Sequence, residues 1–389
     1  AAQKLRESSA SDEITVISIE NTPVYAKIML PDYIGGKIAR DKLFLRDLEF
    51  YKNNNIELLL DSSVEKIDTQ GRTVQLSSGS IREYDSLLIA VGGVPFIPPV
   101  DGLADSEFYT VNSLRDAENI MSKALKGGNA IIVGAGLTGI EMGFAMKHLG
   151  MNVKIIEKED RILPAQLDEY SSFVMVEELK KESLDLLLGN TLAGVSGDRK
   201  IVKLSDGSEL KYDLLIITIG TRPNTSFIKD AAIECERGIL VDECLETSVK
   251  GVYAAGDVAE VRKKVSGEYV ASYIWPVAMA QGKCAASNML GQKTEYSASP
   301  FNSVQLRDMP FVSMGLINPA GEGFETLVHH DRENCVYKRL TLKNNVIVGM
   351  VFIGDTGTAN AIASLIRKGG NVSGFKDKLL DRGFTVPIP

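Results

Sequence analysis

Apolar and polar positions along the chain predict repeated strand–turn–helix units. Residues 130–133 are an uninterrupted apolar run of the kind that a buried parallel strand requires, and apolar positions follow at helical spacing over residues 137–149. Gly150 stands where this helix ends, and residues 153–156 form a second apolar run. The pattern predicts a strand, a helix and a further strand, which together make one βαβ unit.

An internal repeat indicates a second unit of the same kind. The segments "REYDSLLIAVGGVP" (82–95) and "LKYDLLIITIGTRP" (210–223) place a Tyr-Asp pair, an apolar strand, a glycine and a proline in the same order. Each segment follows a stretch with strand and turn signals, at 68–80 and at 196–210. The repeat predicts two related nucleotide-binding halves.

The character of the sequence changes after Gly291. Residues 300–319 and 335–354 are patterned as strands, with an Asn-Asn turn at 344–345, and a last helix is predicted near 359–367. This part of the sequence contains no glycine-rich phosphate-binding turn. It is therefore predicted to be a separate α+β domain.

Length and composition describe a globular chain of 389 residues, 44% of them hydrophobic, which suffices for two or three domains. The apolar runs are far shorter than the ~20 residues that cross a bilayer, and the first residues lack a signal-peptide pattern. We therefore expect a cytoplasmic protein without membrane contact. A net charge of −8 without a basic stripe argues against nucleic acid as a partner. Four irregularly spaced cysteines and only three histidines favour unpaired thiols and no metal site.

The turn at residues 134–139 has the spacing of a dinucleotide-binding fingerprint. Gly134 permits the tight turn, Gly136 lets backbone N–H groups approach a pyrophosphate, and Gly139 lets the helix pack closely on the strand. The helix opens at Leu137 and Thr138, and its N-terminus adds partial positive charge. These residues are candidates for binding NADH, and the alternative is a tight turn without a ligand.

Glu157 stands at the end of the next predicted strand. Its carboxylate would accept hydrogen bonds from both hydroxyls of an adenosine ribose and would repel a 2′-phosphate, so NADH is expected over NADPH. The neighbouring Lys158 and Arg161 weaken this preference because they carry positive charge.

The segment "ETSVKGVYAAGDVAE" (246–260) is an apolar strand that ends in Gly256 and Asp257, and spacing alone fits an ordinary Gly-Asp turn equally well. With "GAGLTGIE" (134–141), "IGTRPN" (219–224) and "TSVKGVYAAGD" (247–257) in this order, however, the sequence resembles the FAD-dependent pyridine nucleotide-disulfide oxidoreductase superfamily. It is most similar to the branch of NADH:rubredoxin reductases and the flavin portion of nitrite reductase large subunits.

The resemblance implies an α/β fold with two Rossmann-like nucleotide-binding domains and a C-terminal α+β domain. The FAD-binding domain is expected at 1–110 and 241–295, the NAD-binding domain at 111–240, and the interface domain at 296–389. Both a monomer and a homodimer fit this architecture.

The resemblance also implies a set of FAD-binding residues. Asp257 is expected to bind the flavin ribityl chain, Gly256 to approach the diphosphate, and Glu20 to hold the adenosine ribose. The other implied contacts are Val64 beside the adenine, Ala90 and Gly92 in the turn after the first repeat, and Gly220 in the matching turn of the second. Trp275 begins a helix predicted over 275–291, whose N-terminus would face the flavin. Trp275 itself either lies beside the flavin or packs at a domain interface, and packing is favoured.

The redox-active cysteines of the superfamily are missing from this sequence. They belong to the helix after the second flavin-domain strand, here residues 22–37, and no cysteine precedes Cys235. The resemblance therefore implies that electrons pass from NADH through FAD directly to a small redox protein such as rubredoxin. The alternatives are an NADH oxidase or diaphorase that reduces oxygen or quinones, and a non-catalytic NADH-binding sensor.

Two charged residues are the catalytic candidates that the resemblance implies. Glu141 matches a glutamate near the nicotinamide carboxamide, and Lys27 is the candidate for its basic partner on the flavin-domain helix. The alternative for each is a solvated surface charge. Small basic groups at 261–264 and 365–370 either meet an acidic electron carrier or are likewise solvated.

The chain begins with "AAQKLR", which resembles the helix that follows the first glycine turn of the superfamily. Residues 1–6 are therefore predicted to be helical. The strand and glycine turn that would precede this helix are absent from the sequence, so we expect a fragment or an incompletely represented chain.

Overall fold

The structure is a computed structural model that describes residues 1–262, 269–297, 301–306 and 309–386. The described residues pack as two compact units. The first unit takes its residues from 1–96, 112–117 and 220–298, and the second from 97–111, 118–219 and 299–389. Within the described ranges, every helix is too short or too polar to cross a membrane.

The α-helices of the described residues are α1 (Ala2–Ser8), α2 (Leu30–Ile34), α3 (Leu48–Asn53), α4 (Leu114–Lys123), α5 (Leu137–His148), α6 (Glu169–Lys181), α7 (Trp275–Met289) and α8 (Ala359–Lys368). Helices at residues 1–6, 137–149, 275–291 and 359–367 were predicted, and all four are confirmed.

The strands are short in the first two thirds of the chain and longer in the last third. Those before residue 100 are β1 (Ile14–Ile17), β2 (Ile56–Leu59), β3 (Val64–Asp68), β4 (Thr73–Leu76), β5 (Ile81–Glu83), β6 (Leu87–Ile89) and β7 (Gly93–Pro95). The next are β8 (Asn129–Val133), β9 (Asn152–Ile156), β10 (Asp185–Leu187), β11 (Leu192–Ser196), β12 (Ile201–Leu204), β13 (Glu209–Lys211), β14 (Leu214–Ile217) and β15 (Thr221–Pro223). The last are β16 (Ile239–Val241), β17 (Val252–Ala254), β18 (Ala259–Arg262), β19 (Tyr269–Ala271), β20 (Phe301–Leu306), β21 (Met309–Gly315), β22 (Phe324–Asp331), β23 (Val336–Lys343) and β24 (Val346–Ile353).

The first unit is built from small sheets around two apolar clusters, a larger one that includes Ile89 of β6 and Val252 of β17 and a smaller one of Ile14, Tyr51 and Ile56. β1 pairs in parallel with β2 and β17 with β6, while β3, β4 and β5 form an antiparallel meander. β7 and β15 form a two-stranded antiparallel ribbon, and β16, β18 and β19 form a mixed sheet. Because β17 pairs with β6, the chain after residue 241 returns to complete a sheet that the first 90 residues began.

The second unit contains a four-stranded parallel sheet in the order β10-β9-β8-β14. The strands β8 and β9 are joined by α5, and Gly150 follows this helix with a φ of 81°. The predicted βαβ unit at residues 130–156 is therefore confirmed. The predicted strand and turn signals before the second repeat are confirmed as well, since β11, β12 and β13 form an antiparallel meander.

The end of the chain forms a five-stranded antiparallel sheet in the order β20-β21-β24-β23-β22, with α8 packed against it. Asn344 and Asn345 join β23 to β24 with φ angles of 52° and 58°, as the predicted Asn-Asn turn requires. The predicted α+β character of this region is confirmed. Its residues belong to the same compact unit as the parallel sheet, and the division into three domains stays a prediction.

The segment 22–37 departs from the expected helix. It contains a 3₁₀ turn at Lys27–Met29 followed by the five residues of α2. Pro31 is placed at the first turn of α2, where its missing N–H costs nothing, and Gly35 and Gly36 end the helix. Proline and glycine spacing thus limits this helix to little more than one turn.

Candidate functional site

The three glycines of the turn in the second unit have different surroundings. A Cβ added to Gly134, which has a φ of 104°, would lie 2.6 Å from the carbonyl oxygen of Thr218. A Cβ added to Gly139 would lie 1.9 Å from the carbonyl oxygen of Gly134. Gly136 has a φ of −74°, and an added Cβ there would meet nothing within 4 Å. Internal packing therefore requires the first and third glycines, whereas the second borders open space.

This open space lies at the start of α5. Leu137 and Thr138 are its first residues, Gly136 is its N-cap, and no side chain of the described residues caps the helix. The first N–H groups of a helix have no partner within it, so an uncapped start suits an external acceptor such as a phosphate.

The Glu157 carboxylate lies against the glycine turn. Its Oε2 accepts a hydrogen bond from the Ala135 N–H at 2.7 Å, and its Oε1 accepts one from the Glu159 N–H at 3.0 Å. Lys158 is exposed, and Arg161 pairs with Asp160 at 3.7 Å. The structure thus brings Glu157 and the glycine turn together, as a ribose beside a pyrophosphate would require.

The two catalytic candidates belong to different units. Glu141 is half-buried on α5 in the second unit, and Lys27 begins the 3₁₀ turn of the first. Their pairing stays a prediction. Within its own unit, Lys27 has another partner, because its Nζ lies 3.2 Å from Oε1 of Glu20.

Glu20 follows β1 and is held by two side chains. Lys27 pairs with Oε1, and the Tyr25 hydroxyl donates a hydrogen bond of 2.5 Å to Oε2. Tyr25 is 6% exposed, and its hydroxyl also accepts a hydrogen bond of 2.8 Å from the Leu114 N–H. Sequence reasoning missed Tyr25; its one signal was its position between the two charged candidates.

Asp257 and Gly256 form the turn after β17. Burial raises the pKa of the Asp257 carboxyl, and the positive charge of Lys27 acts in the opposite direction. Lys27 therefore lies within electrostatic range of both candidate carboxylates of the first unit. Gly256 has a φ of 80°, and its N–H donates a hydrogen bond of 2.7 Å to Oε1 of Gln281.

Gln281 is a site residue that sequence reasoning missed. It lies on α7 and is only 2% exposed. Its hydrogen bond to Gly256 fixes the turn that carries Asp257. The signal was present, because Val277 and Cys284 place Gln281 on the buried face of the helix, where an amide needs a partner.

The two repeated turns meet within the first unit. Gly92 has a φ of 69° and its carbonyl accepts a hydrogen bond of 3.0 Å from the backbone N–H of residue 224. Gly220 has a φ of 101° and its carbonyl accepts one of 3.0 Å from the Phe96 N–H. Ala90 follows β6 and is exposed. The repeat seen in the sequence is therefore a physical pair of turns flanking the ribbon of β7 and β15.

The remaining FAD-site candidates lie at element starts. Val64 begins β3 and is half-buried, and Trp275 begins α7 and is 39% exposed. Pro276 stands in the first turn of α7, which has no side-chain cap among the described residues. Whether Trp275 contacts a flavin or packs at a domain interface stays a prediction.

All four cysteines lie in the described part of the chain, and all are free thiols. Burial raises the pKa of the Cys244 and Cys284 thiols, which disfavours the reactive thiolate. Among the described residues, no three His, Cys, Asp or Glu side chains are grouped as they are around a metal ion. Lys263 and Lys264 of the basic group at 261–264 lie outside the described residues.

The residues present fit the two implied nucleotides. The Glu20 and Asp257 carboxylates are acceptors suited to ribose and ribityl hydroxyls, and the Thr22 hydroxyl nearby in sequence is buried without a hydrogen-bond partner among the described residues. The open space in front of Gly136 is where a pyrophosphate can approach the backbone. Each unit therefore presents one candidate nucleotide site.

Comparison with known proteins gives consistent similarities. The chain matches the family model described as pyridine nucleotide-disulphide oxidoreductase over residues 1–282, and that described as rubredoxin NAD+ reductase C-terminal domain over residues 300–370. It is 30% identical over 372 residues to nitrite reductase (NAD(P)H) of Bacillus subtilis. The aligned region covers 94% of this chain but 45% of that enzyme. The chain thus spans about half the length of this relative.

Two further similarities cover nearly the whole of both chains. Rubredoxin-NAD(+) reductase of Alcanivorax borkumensis is 29% identical, with 91% of each chain covered. The crystal structure of NADH:rubredoxin oxidoreductase from Clostridium acetobutylicum superposes with a TM-score of 0.79 at 25% identity, covering 96% of this chain and 94% of that one.

Proposed function

Because the chain belongs to the pyridine nucleotide-disulphide oxidoreductase family, we propose that it is an FAD-dependent enzyme that oxidises NADH and passes the electrons to a small redox protein of the rubredoxin type. The observation that carries this proposal is the geometry of the glycine turn, where Gly136 borders open space and Glu157 lies against the turn. The match of residues 300–370 to the rubredoxin reductase C-terminal domain supports the class of acceptor.

The residues of the second unit would bind NADH. The start of α5 offers N–H groups and partial positive charge to the pyrophosphate, and Gly136 leaves room for it. Glu157 would accept from the adenosine ribose hydroxyls and disfavour a 2′-phosphate, so NADH is preferred over NADPH. Glu141, with Lys27 as its partner, would orient the nicotinamide carboxamide.

The residues of the first unit would hold FAD. When bound, FAD supplies the capacity to take two electrons with a hydride and to release them singly or as a pair. Glu20 and Asp257 would accept hydrogen bonds from its ribose and ribityl hydroxyls, and Gln281 holds the Asp257 turn in place. The uncapped start of α7 would place partial positive charge near the flavin. Such a helix start stabilises a nearby negative charge by about 0.3 to 2 kcal/mol.

Direct electron delivery, without a thiol relay, follows from the cysteine positions. Residues 22–37 contain no cysteine, and burial raises the pKa of the Cys244 and Cys284 thiols, which disfavours their thiolate forms. The four free thiols also support our proposal of a cytoplasmic location, because unpaired cysteines are typical of reducing compartments.

An anaerobic titration tests the proposed function. The intact protein, loaded with FAD, is titrated with NADH and then with NADPH while the visible flavin absorbance is followed. We expect NADH to bleach the flavin at lower concentration than NADPH, and the Glu157→Gln variant to lose about 10-fold in NADH affinity. The exposed Glu159→Gln serves as the matched control. Protein that binds no FAD, or whose FAD is not reduced by NADH, contradicts the proposal.

The acceptor is tested by stopped-flow reoxidation of the NADH-reduced protein. Rubredoxin is expected to reoxidise the flavin much faster than oxygen or a quinone does. Reoxidation by oxygen at the rubredoxin rate would instead indicate an NADH oxidase.

A further inference from the structure

We infer that Tyr25 is a positioning residue for the adenosine end of FAD, acting through the Glu20 carboxylate. This role rests on the proposed function, in which Glu20 binds the adenosine ribose. Tyr25 is 6% exposed, so its hydroxyl meets Glu20 away from bulk water. A carboxylate held by a rigid buried partner keeps one orientation, and a hydrogen bond from a ribose hydroxyl requires an acceptor of fixed orientation.

Both hydrogen-bonding positions of the Tyr25 hydroxyl are fixed. The Leu114 N–H can only donate, so the hydroxyl oxygen accepts that bond at 2.8 Å. The phenolic hydrogen is then free to point at Oε2 of Glu20, 2.5 Å away. Burial raises the pKa of the Tyr25 phenol and the hydrogen bond to Glu20 raises it further, so the hydroxyl remains a donor over the working pH range.

The backbone donor is itself immobilised. Leu114 begins α4, where Ser113 and Asp116 form reciprocal hydrogen bonds: the Ser113 N–H donates to Oδ2 of Asp116 at 3.0 Å, and the Asp116 N–H donates to Oγ of Ser113 at 3.1 Å. This capping box fixes the first turn of the helix. Tyr25 thus anchors Glu20 to a helix start rather than to a flexible side chain.

The two oxygens of Glu20 are held unequally. Oε2 is bonded to the buried Tyr25, whereas Oε1 pairs with Lys27, whose side chain is 52% exposed. Ion pairs of exposed lysines are weak and exchange readily. Oε1 is therefore the oxygen that a ribose hydroxyl can reach, while Tyr25 keeps Oε2 in place.

The Tyr25→Phe variant tests this role, because it removes the hydroxyl and keeps the ring, which packs edge-on against Phe44 at 6.4 Å. A hydrogen bond to a charged group corresponds to a loss of about 10- to 100-fold in FAD affinity. FMN has no adenosine and does not reach Glu20, so its affinity should change by less than about twofold. Equilibrium titration of the apoprotein with FAD and with FMN measures both.

Tyr51→Phe is the matched control. Tyr51 is also 6% exposed in the first unit, but it lies on α3 and is not the tyrosine that bonds Glu20. This variant carries the structural cost of losing a buried tyrosine hydroxyl, and its affinities for FAD and FMN should both stay at the wild-type level. Equal losses of FAD and FMN affinity in Tyr25→Phe would show a merely structural role and overturn the inference.

A double-mutant cycle with Glu20→Ala, which removes the acceptor altogether, adds an independent readout. If Tyr25 acts through Glu20, its replacement has no further effect on FAD affinity in the Glu20→Ala background. A full effect in that background, or an unchanged FAD affinity in Tyr25→Phe alone, contradicts the inference. Wild-type protein that binds FAD but is not reduced by NADH contradicts only the proposed function, and wild-type protein that binds no FAD contradicts both.

Discussion

At the scale of single residues, the glycines of one motif differ in whether the protein's own packing requires them. Gly139 is required because its hydrogen faces the Gly134 carbonyl oxygen, and any Cβ would clash at 1.9 Å. Gly136 has ordinary backbone geometry and no neighbour within 4 Å of an added Cβ, so nothing in the protein itself requires glycine there. A requirement for glycine at 136 would have to come from a ligand.

This difference predicts opposite results for two alanine variants. Gly136→Ala should change the free energy of unfolding by less than about 1 kcal/mol, yet lower NADH affinity about 10-fold, because the new methyl group occupies the approach to the backbone. Gly139→Ala should destabilise the protein by about 3 kcal/mol through overpacking. Urea unfolding and NADH titration measure the two effects. If a folded Gly136→Ala variant bound NADH with wild-type affinity, the pyrophosphate could not bind at this position.

At the scale of elements, the C-terminal sheet contains an ion pair between a buried lysine and a half-buried aspartate. Lys338 on β23 is 1% exposed, and its Nζ lies 2.8 Å from Oδ2 of Asp355, which follows β24. Asp355 also accepts a hydrogen bond of 3.1 Å from the Gly357 N–H just before α8. The bond to Lys338 lowers the pKa of the Asp355 carboxyl. One carboxylate therefore links the sheet to the start of the helix that packs on it.

The ion pair predicts a pH dependence of stability. Because the pKa of Asp355 is lower in the folded than in the unfolded protein, its contribution is complete above the unfolded value of about 3.9 and is lost as the pH falls through the folded value. Urea unfolding between pH 6 and pH 3 should show a smaller loss of stability in Asp355→Asn than in the wild type.

Asp355→Asn should also be less stable than the wild type at pH 6, by about 3 kcal/mol, because it leaves the buried Lys338 ammonium without its counterion. Asp377→Asn, which alters an exposed carboxylate of the same region, is the control and should follow the wild type. Identical pH profiles for Asp355→Asn and the wild type would exclude the ion pair as the cause.

At the scale of the whole molecule, the absence of cysteine from residues 22–37 bears on how electrons would leave in the proposed reaction. The resemblance to the superfamily implies that its redox-active cysteines belong to this segment, so the proposed reaction uses no sulfur relay there. The four cysteines that are present lie at 235, 244, 284 and 335, and all are free. None is therefore expected to take part in electron transfer.

Replacing all four cysteines tests this expectation. The variant Cys235→Ser, Cys244→Ser, Cys284→Ala and Cys335→Ser should transfer electrons from NADH to the acceptor at a rate within about twofold of the wild type, because the chemistry belongs to the cofactor. The kcat for NADH-dependent acceptor reduction measures it, with circular dichroism as the check on folding. A variant that is reduced by NADH but no longer reduces the acceptor would show that a cysteine thiol takes part in electron transfer.

Sequence patterns predicted whole elements well and their side-chain partners poorly. The βαβ unit at 130–156 was predictable because strand burial, helical spacing and the glycine turn are all local signals. The length of the helix in 22–37 was misjudged, since a family resemblance located it but local proline and glycine residues set its length. Gln281 and Tyr25 were missed because their partners, Gly256 and Leu114, are distant in sequence.

The sequence by itself determined the periodic elements, the glycine turn with its acidic residue, and the absence of cysteine from residues 22–37, because each depends on residue types at short spacing. Only the tertiary structure decided that Lys27 pairs with Glu20, that Tyr25 holds one oxygen of Glu20, and that Gly136 borders open space. These features depend on atoms brought together from separate segments. No spacing along the chain encodes such distances, since packing alone sets them.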